Sequence, residues 1–212
     1  MKKLIILFVV LSALLTGCNT AKQNLQAEKD NFKFCSLQWG ADWETLKKSD
    51  VLKNADILKE DGNRKTVKLE SGKYLETPIG DVGLVFDTNG ISDTAGLVSV
   101  SVQYKEENEQ ALLTQLEKIY GKRKSTYTDK NGYKNPIDPA GWVSSETIEG
   151  VFTEEEKEYY ISMFPKNYEQ TRIDALLRSP LVIIRFDEEL NVIVFNGNDA
   201  AIVSYIQAEL KK

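Results

Sequence analysis

The chain has no histidine among its 212 residues. That absence excludes Ser-His-Asp and Cys-His catalysis, histidine-ligated zinc and the imidazole pH switch, whatever the fold. Cysteine is scarce, present only as Cys18 and Cys35. Positive charge also falls short: 27 Lys and Arg against 32 Asp and Glu leave a formal net charge of -5, which speaks against a broad electrostatic hold on nucleic acid. Gly-x-Gly-x-x-Gly, Gly-x-x-x-x-Gly-Lys and Gly-x-Ser-x-Gly are all missing, so neither a phosphate-cradling loop nor a serine elbow is indicated. What is present, 42% hydrophobic and 28% charged residues, is the composition of a globular protein able to bury a core.

The chain opens with an address. Met1, Lys2 and Lys3 make a short basic start, and the apolar run Leu4 to Leu15 that follows is too short for a membrane span of about 20 residues. It reads as an export signal. The run ends in Leu15, Thr16, Gly17 and Cys18, and this order of a branched apolar residue, two small residues and a cysteine resembles the lipobox of bacterial lipoproteins. The resemblance implies a diacylglyceryl thioether on Cys18 and cleavage between Gly17 and Cys18, with the mature chain lipid-anchored on the extracytoplasmic face of the cell membrane. Two acyl chains, each buried CH2 contributing about 0.8 kcal/mol, would hold the protein stably. Losing Lys2 and Lys3 takes the formal charge from -5 to -7, so the body is expected to hang from its lipid rather than lie on anionic headgroups. No second cysteine then remains for an intramolecular bridge. Cys35, set among Phe32, Phe34 and Leu37, is expected to be a small buried hydrophobe.

The polar stretch Asn19 to Asn31 suits a flexible tether with a reach of about 20 Å. Beyond it, Asp42 is placed to cap a short helix. Period-two alternation marks strands at Val67 and Leu69, at Val82, Leu84 and Phe86, and at Val98, Val100, Val102 and Tyr104. Leu112, Leu113, Leu116, Ile119 and Tyr120 then repeat at helical spacing, with Gly121 placed as the stop. Asp129 to Gly141, holding Asn131, Gly132, Pro136 and Pro139, reads as a connection. Trp142 to Val151 and Tyr159 to Phe164 read as strands around an acidic turn at Glu154 to Glu158. Leu181 to Phe186, a turn, Val192 to Phe195 and a helix from about Asp199 complete the chain.

A weak repeat runs through this order. Val85-Phe86-Asp87, a turn, a valine-rich strand and a helix parallel Arg185-Phe186-Asp187, a turn, the Val192 strand and a helix. The expectation is an α+β fold of antiparallel strands with a few packing helices, arranged as two related ββα-containing halves. The corresponding division is signal peptide 1–17, lipidated cysteine and tether 18–31, first half 32–128, connection 129–141 and second half 142–212. The phrases Leu37 to Lys47, with Trp39 and Gly40, and Leu116 to Gly121 also resemble Gram-positive envelope lipoproteins and, more distantly, lipoproteins of the BamE/SmpA type. That likeness carries no catalytic residues to transfer.

Candidate chemistry is thin. Asp87, Asn89, Gly90, Ser92 and Asp93 alternate oxygen ligands as calcium would want, but no glutamate stands at the twelfth position, which is Val98; a self-capped turn explains the same residues. Glu154, Glu155, Glu156 and Glu158 read as a solvated tip. Lys118, Lys122, Arg123 and Lys124 complement a helix C-terminus or form a foot on an anionic envelope polymer or lipid surface. Trp39 and Trp43 plug a core or offer a stacking platform. The expectation is therefore a membrane-anchored, non-enzymatic envelope lipoprotein with no cofactor or metal, whose partners are the membrane through its lipid and an envelope protein or peptide. A small-molecule-binding lipoprotein and a carboxylate-dependent envelope hydrolase stand as alternatives. An open sheet edge or apolar groove favours the first, a ligand-sized pocket the second and two close carboxylates the third.

Overall fold

The computed structural model describes residues 32–129 and 131–211. Gly17 and Cys18, where lipidation and cleavage are expected, lie outside the described residues. The chain begins with α1 (Trp43–Leu46), which Asp42 caps as expected: its Oδ1 accepts from the Thr45 backbone N–H at 2.8 Å. Strands β1 (Asp56–Asp61), β2 (Arg64–Lys68), β5 (Val82–Asp87) and β6 (Gly96–Gln103) follow, with a two-stranded hairpin of β3 (Lys73–Tyr74) and β4 (Thr77–Pro78) between β2 and β5. A 3-10 turn, Glu106–Asn108, leads into α2 (Glu109–Tyr120), which stops at Gly121 with φ 85. Then come β7 (Lys124–Thr128), β8 (Lys134–Val143), α3 (Ile148–Val151), α4 (Glu154–Ser162), α5 (Gln170–Leu177), β9 (Ile183–Asp187), β10 (Val192–Asn196) and α6 (Asn198–Glu209).

Eight strands form one antiparallel sheet in the order β1-β2-β5-β6-β10-β9-β8-β7. The fold is α+β. Strand-turn-strand-helix occurs twice, as β5-β6-α2 and β9-β10-α6, and the two pairs abut at the centre, where Val100 of β6 faces Phe195 of β10. Strands from residues 56–103 extend from this seam on one side and strands from 124–196 on the other, so β7, which the division at 128 assigns to the first half, lies with the second.

The alternation decides which side of the sheet is packed. Val82, Leu84 and Phe86, Val98, Val100 and Val102, Ile184 and Phe186, and Ile193 and Phe195 are buried, whereas Gly83, Ser99, Ser101, Arg185 and Val194 between them are only partly so. The buried set shares one core with Leu112, Leu113 and Leu116 of α2 and with Ala200, Ala201, Val203 and Ile206 of α6. Full burial of one such aliphatic side chain contributes about 1.5–3 kcal/mol, so this single layer is the main source of stability. Phe34, Tyr74 and Phe195 meet ring to ring within it, with Phe34 and Tyr74 centroids 4.9 Å apart.

Three expectations change. Residues 134–141 of the expected connection belong to β8, which pairs antiparallel with β7. The strand expected at Trp142 to Val151 ends at Val143, and Thr147 then opens α3 by accepting from the Gly150 N–H. The strand at Tyr159 to Phe164 and its acidic turn are instead α4. Thr153 and Glu156 form a capping box, each side chain accepting from the other's backbone N–H, and Glu154 and Glu155 stand in the first turn where the helix dipole favours negative charge. Tyr159, Tyr160 and Ile161 suit a strand by propensity, but the cap and tertiary packing prevail.

Candidate functional site

The first described residue, Phe32, lies against Tyr120 at the end of α2, with ring centroids 4.6 Å apart; Tyr120 in turn lies 6.0 Å from Trp142. A cavity of about 640 Å³ opens beside this stack, lined by Phe32, Trp39, Tyr120, Glu146, Val151 and Gln207 among others. Its walls come from the N-terminal stretch, the end of α2, α3 and α6. The size falls within the usual range for small-molecule sites, about 300–1,000 Å³.

A second feature lies at the opposite edge of the sheet. β1 pairs only with β2, and all six of its residues are exposed, Ile57 at 52% and Leu58 at 50%. The ladder shifts register between Ile57 and Lys59, so Leu58 sits at a bulge. An outer strand offers unpaired N–H and C=O groups to another chain. Here two large apolar side chains stand on it as well.

The residues singled out by sequence separate rather than converge. Trp39 is buried, its indole N–H donating to the Phe32 carbonyl, and so it is a core plug. Trp43 is half-buried, edge-on to Phe86 and covered by the Lys65 ammonium, which leaves little stacking platform. Cys35 packs against the core but keeps partial exposure at a positive φ of 46, less enclosed than its apolar neighbours implied. In the oxygen-rich turn, Asp87 Oδ1 accepts from the Asn89 N–H, which is the self-capped turn. Of the basic group, Lys118 lies in the last turn of α2, Lys124 in β7, and Arg123 is committed to Glu188 and to the face of Phe186. Among the described residues, no group of three or more His, Cys, Asp or Glu is placed to hold a metal ion.

Electrostatics adds one group that sequence did not single out. Burial pushes the Asp199 carboxyl up to about 6, against a smaller lowering effect of Asn198. Burial also raises the Tyr160 phenol to about 12, with the charge of Asp199 contributing. Tyr104 is raised as well, chiefly by burial, and its hydroxyl donates to the Asp187 carbonyl. Asp199 reads in sequence as an ordinary first-turn acid, and only the folded chain shows its enclosure. For the β1–β2 hairpin that carries Ile57 and Leu58 a signal did exist: Asp61-Gly62, three residues beyond Leu58, is hairpin chemistry, and Gly62 takes a φ of 54. No family model, no curated protein and no solved structure matches this chain.

Proposed function

We propose that the chain is a membrane-anchored bacterial envelope lipoprotein, held by a lipidated Cys18 on the extracytoplasmic face, that binds a protein or peptide partner and catalyses no reaction. The observation that carries the partner reading is β1, a sheet edge exposed along its whole length with Ile57 and Leu58 on it. A partner strand added there would gain main-chain hydrogen bonds from the edge and specificity from the two apolar side chains. The membrane reading rests on Leu15-Thr16-Gly17-Cys18. Two measurements test these parts separately. A fatty-acid analogue should label the native chain in cells and not Cys18→Ala, and equal labelling of both removes the anchor. A photocrosslinker at Ile57 in intact cells should capture a defined protein that a crosslinker at Leu190, equally accessible on the β9–β10 turn, does not; the same capture from both positions removes the edge.

The cavity beside Phe32 supports a second reading, a small-molecule-binding lipoprotein. Gln207→Trp, which fills that cavity from the half-buried side of α6, separates the two. It leaves capture at Ile57 intact under the first reading, and under the second it abolishes binding of the solute.

A further inference from the structure

Where β6 and β9 begin, β10 ends and α6 begins, a separate cavity of about 350 Å³ is lined by the polar Ser99, Asn196, Asn198 and Asp199 together with the apolar Leu181 and Ile183. Its polar side is rich in hydrogen-bond acceptors. The Ser99 hydroxyl donates to the Phe195 carbonyl and so turns its lone pairs outward; Asn196 Oδ1 accepts from the Asn198 N–H, and the Asn198 amide makes only a long 3.5 Å contact with Asp199. The second carboxylate oxygen of Asp199 accepts nothing among the described residues, and no backbone N–H of α6 donates to either oxygen. No Lys or Arg acts on this carboxylate either. The titratable groups that feel its charge are phenols, Tyr127 on β7 and Tyr160 on α4.

A largely buried carboxylate with no cation on it, beside hydroxyl and amide oxygens that can accept, calls for a donor of positive charge. The nature of the cation follows from the walls. A hard divalent ion takes about six to eight oxygen ligands, whereas this cavity offers one carboxylate and an apolar side. An alkylammonium fits both: three N–H donors at the head and methylenes behind it. We propose that this cavity takes an alkylammonium group, its nitrogen on Asp199, Ser99 and Asn198 and its carbon chain along Leu181 and Ile183. The group is either a free amine or a lysine side chain presented by another protein. The site does not involve β1 and stands independently of the edge-strand reading.

The test uses the full-length chain in detergent, with n-butylammonium and Nα-acetyl-lysine methylamide as probes and Nα-acetyl-norleucine methylamide as the uncharged isostere. Calorimetry at pH 7.5 should show ammonium binding, with the isostere at least about tenfold weaker. A carboxyl with a pKa of about 6 is ionised in roughly one molecule in eleven at pH 5, so affinity should fall about tenfold between pH 7.5 and pH 5. Asp199→Asn, close in shape, should lose ammonium binding while still unfolding cooperatively. Butylammonium binding as tightly as the lysine probe points to a free amine, and a lysine probe tighter by about tenfold points to a protein lysine. Equal binding of the isostere, no binding of either ammonium, unchanged affinity at pH 5 or unchanged affinity in Asp199→Asn each overturns the proposal.

Discussion

The two strand-turn-strand-helix units meet at the same seam but are covered differently. In the first, α2 puts the bulky side chains Leu112, Leu113 and Leu116 into the core shared with the sheet. In the second, α6 buries Ala200, Ala201, Val203 and Ile206, and its backbone comes close enough that a Cβ built on Gly40 would lie 3.1 Å from the Ala201 carbonyl oxygen. The links between the inner and outer strands differ too. The β3–β4 hairpin joins β2 to β5, whereas β8 reaches β9 only through α3, α4 and α5. The repeated frame thus carries two different covers, and cavities open where the end of α2 meets α3 and α6 and where α6 begins. Function-bearing space appears where the covering layer is irregular.

The comparison predicts opposite responses to volume. Leu116→Ala should destabilise the fold by about 2–5 kcal/mol in urea unfolding, because α2 depends on bulk, and a change below 1 kcal/mol would make that helix peripheral. Ala201→Leu should cost about 1–3 kcal/mol, because α6 depends on smallness; tolerance there would mean that the close approach has slack. Asp199 sharpens the contrast through pH. Its folded pKa of about 6 lies above the usual carboxylate value near 4, so between those pH values the native state binds more protons than the unfolded one and stability falls as pH rises. Asp199→Asn should therefore stabilise the chain by about 1–3 kcal/mol at pH 7 and by little at pH 4. Thr153→Ala, which removes one arm of the capping box, should cost about 1 kcal/mol, an effect that a solvated hairpin tip would not show. Smallest of all, Ile57→Ser should move stability by about 0.5 kcal/mol or less. A larger loss would show that β1 is held by contacts within the chain rather than open to another.

What the sequence disclosed tracks how locally each element is determined. β5, β6, β9 and β10 alternate cleanly because one face is buried, and α2 shows its stripe because a single face meets the core. Between Ser144 and Leu177 the signals conflict: Ile148, Tyr159, Tyr160 and Ile161 favour strands individually, while the caps at Thr147 and Thr153 depend on side chains bonding forward to backbone N–H groups. Along α6, Val203 and Ile206 are buried, but the larger apolar side chains are an uneven guide to burial. Ile202 is half-buried and Leu210 is 38% exposed, whereas the alanines that let the helix sit close carry almost no hydrophobic signal. Asp199 was illegible for a related reason. Its enclosure arises where α6 meets the ends of the inner strands, a junction that no window of adjacent residues contains.

The bulge at Leu58 also bears on how copies of the chain could meet each other. A flat, unbroken edge with Ile57 and Leu58 upon it would let copies pair side by side without limit, the geometry from which fibrils grow. The register shift between Ile57 and Lys59 breaks that ladder after a short run. A guest strand must either stop short or carry a matching irregularity, so continuous polymerisation is discouraged while a brief, shape-selective pairing remains open.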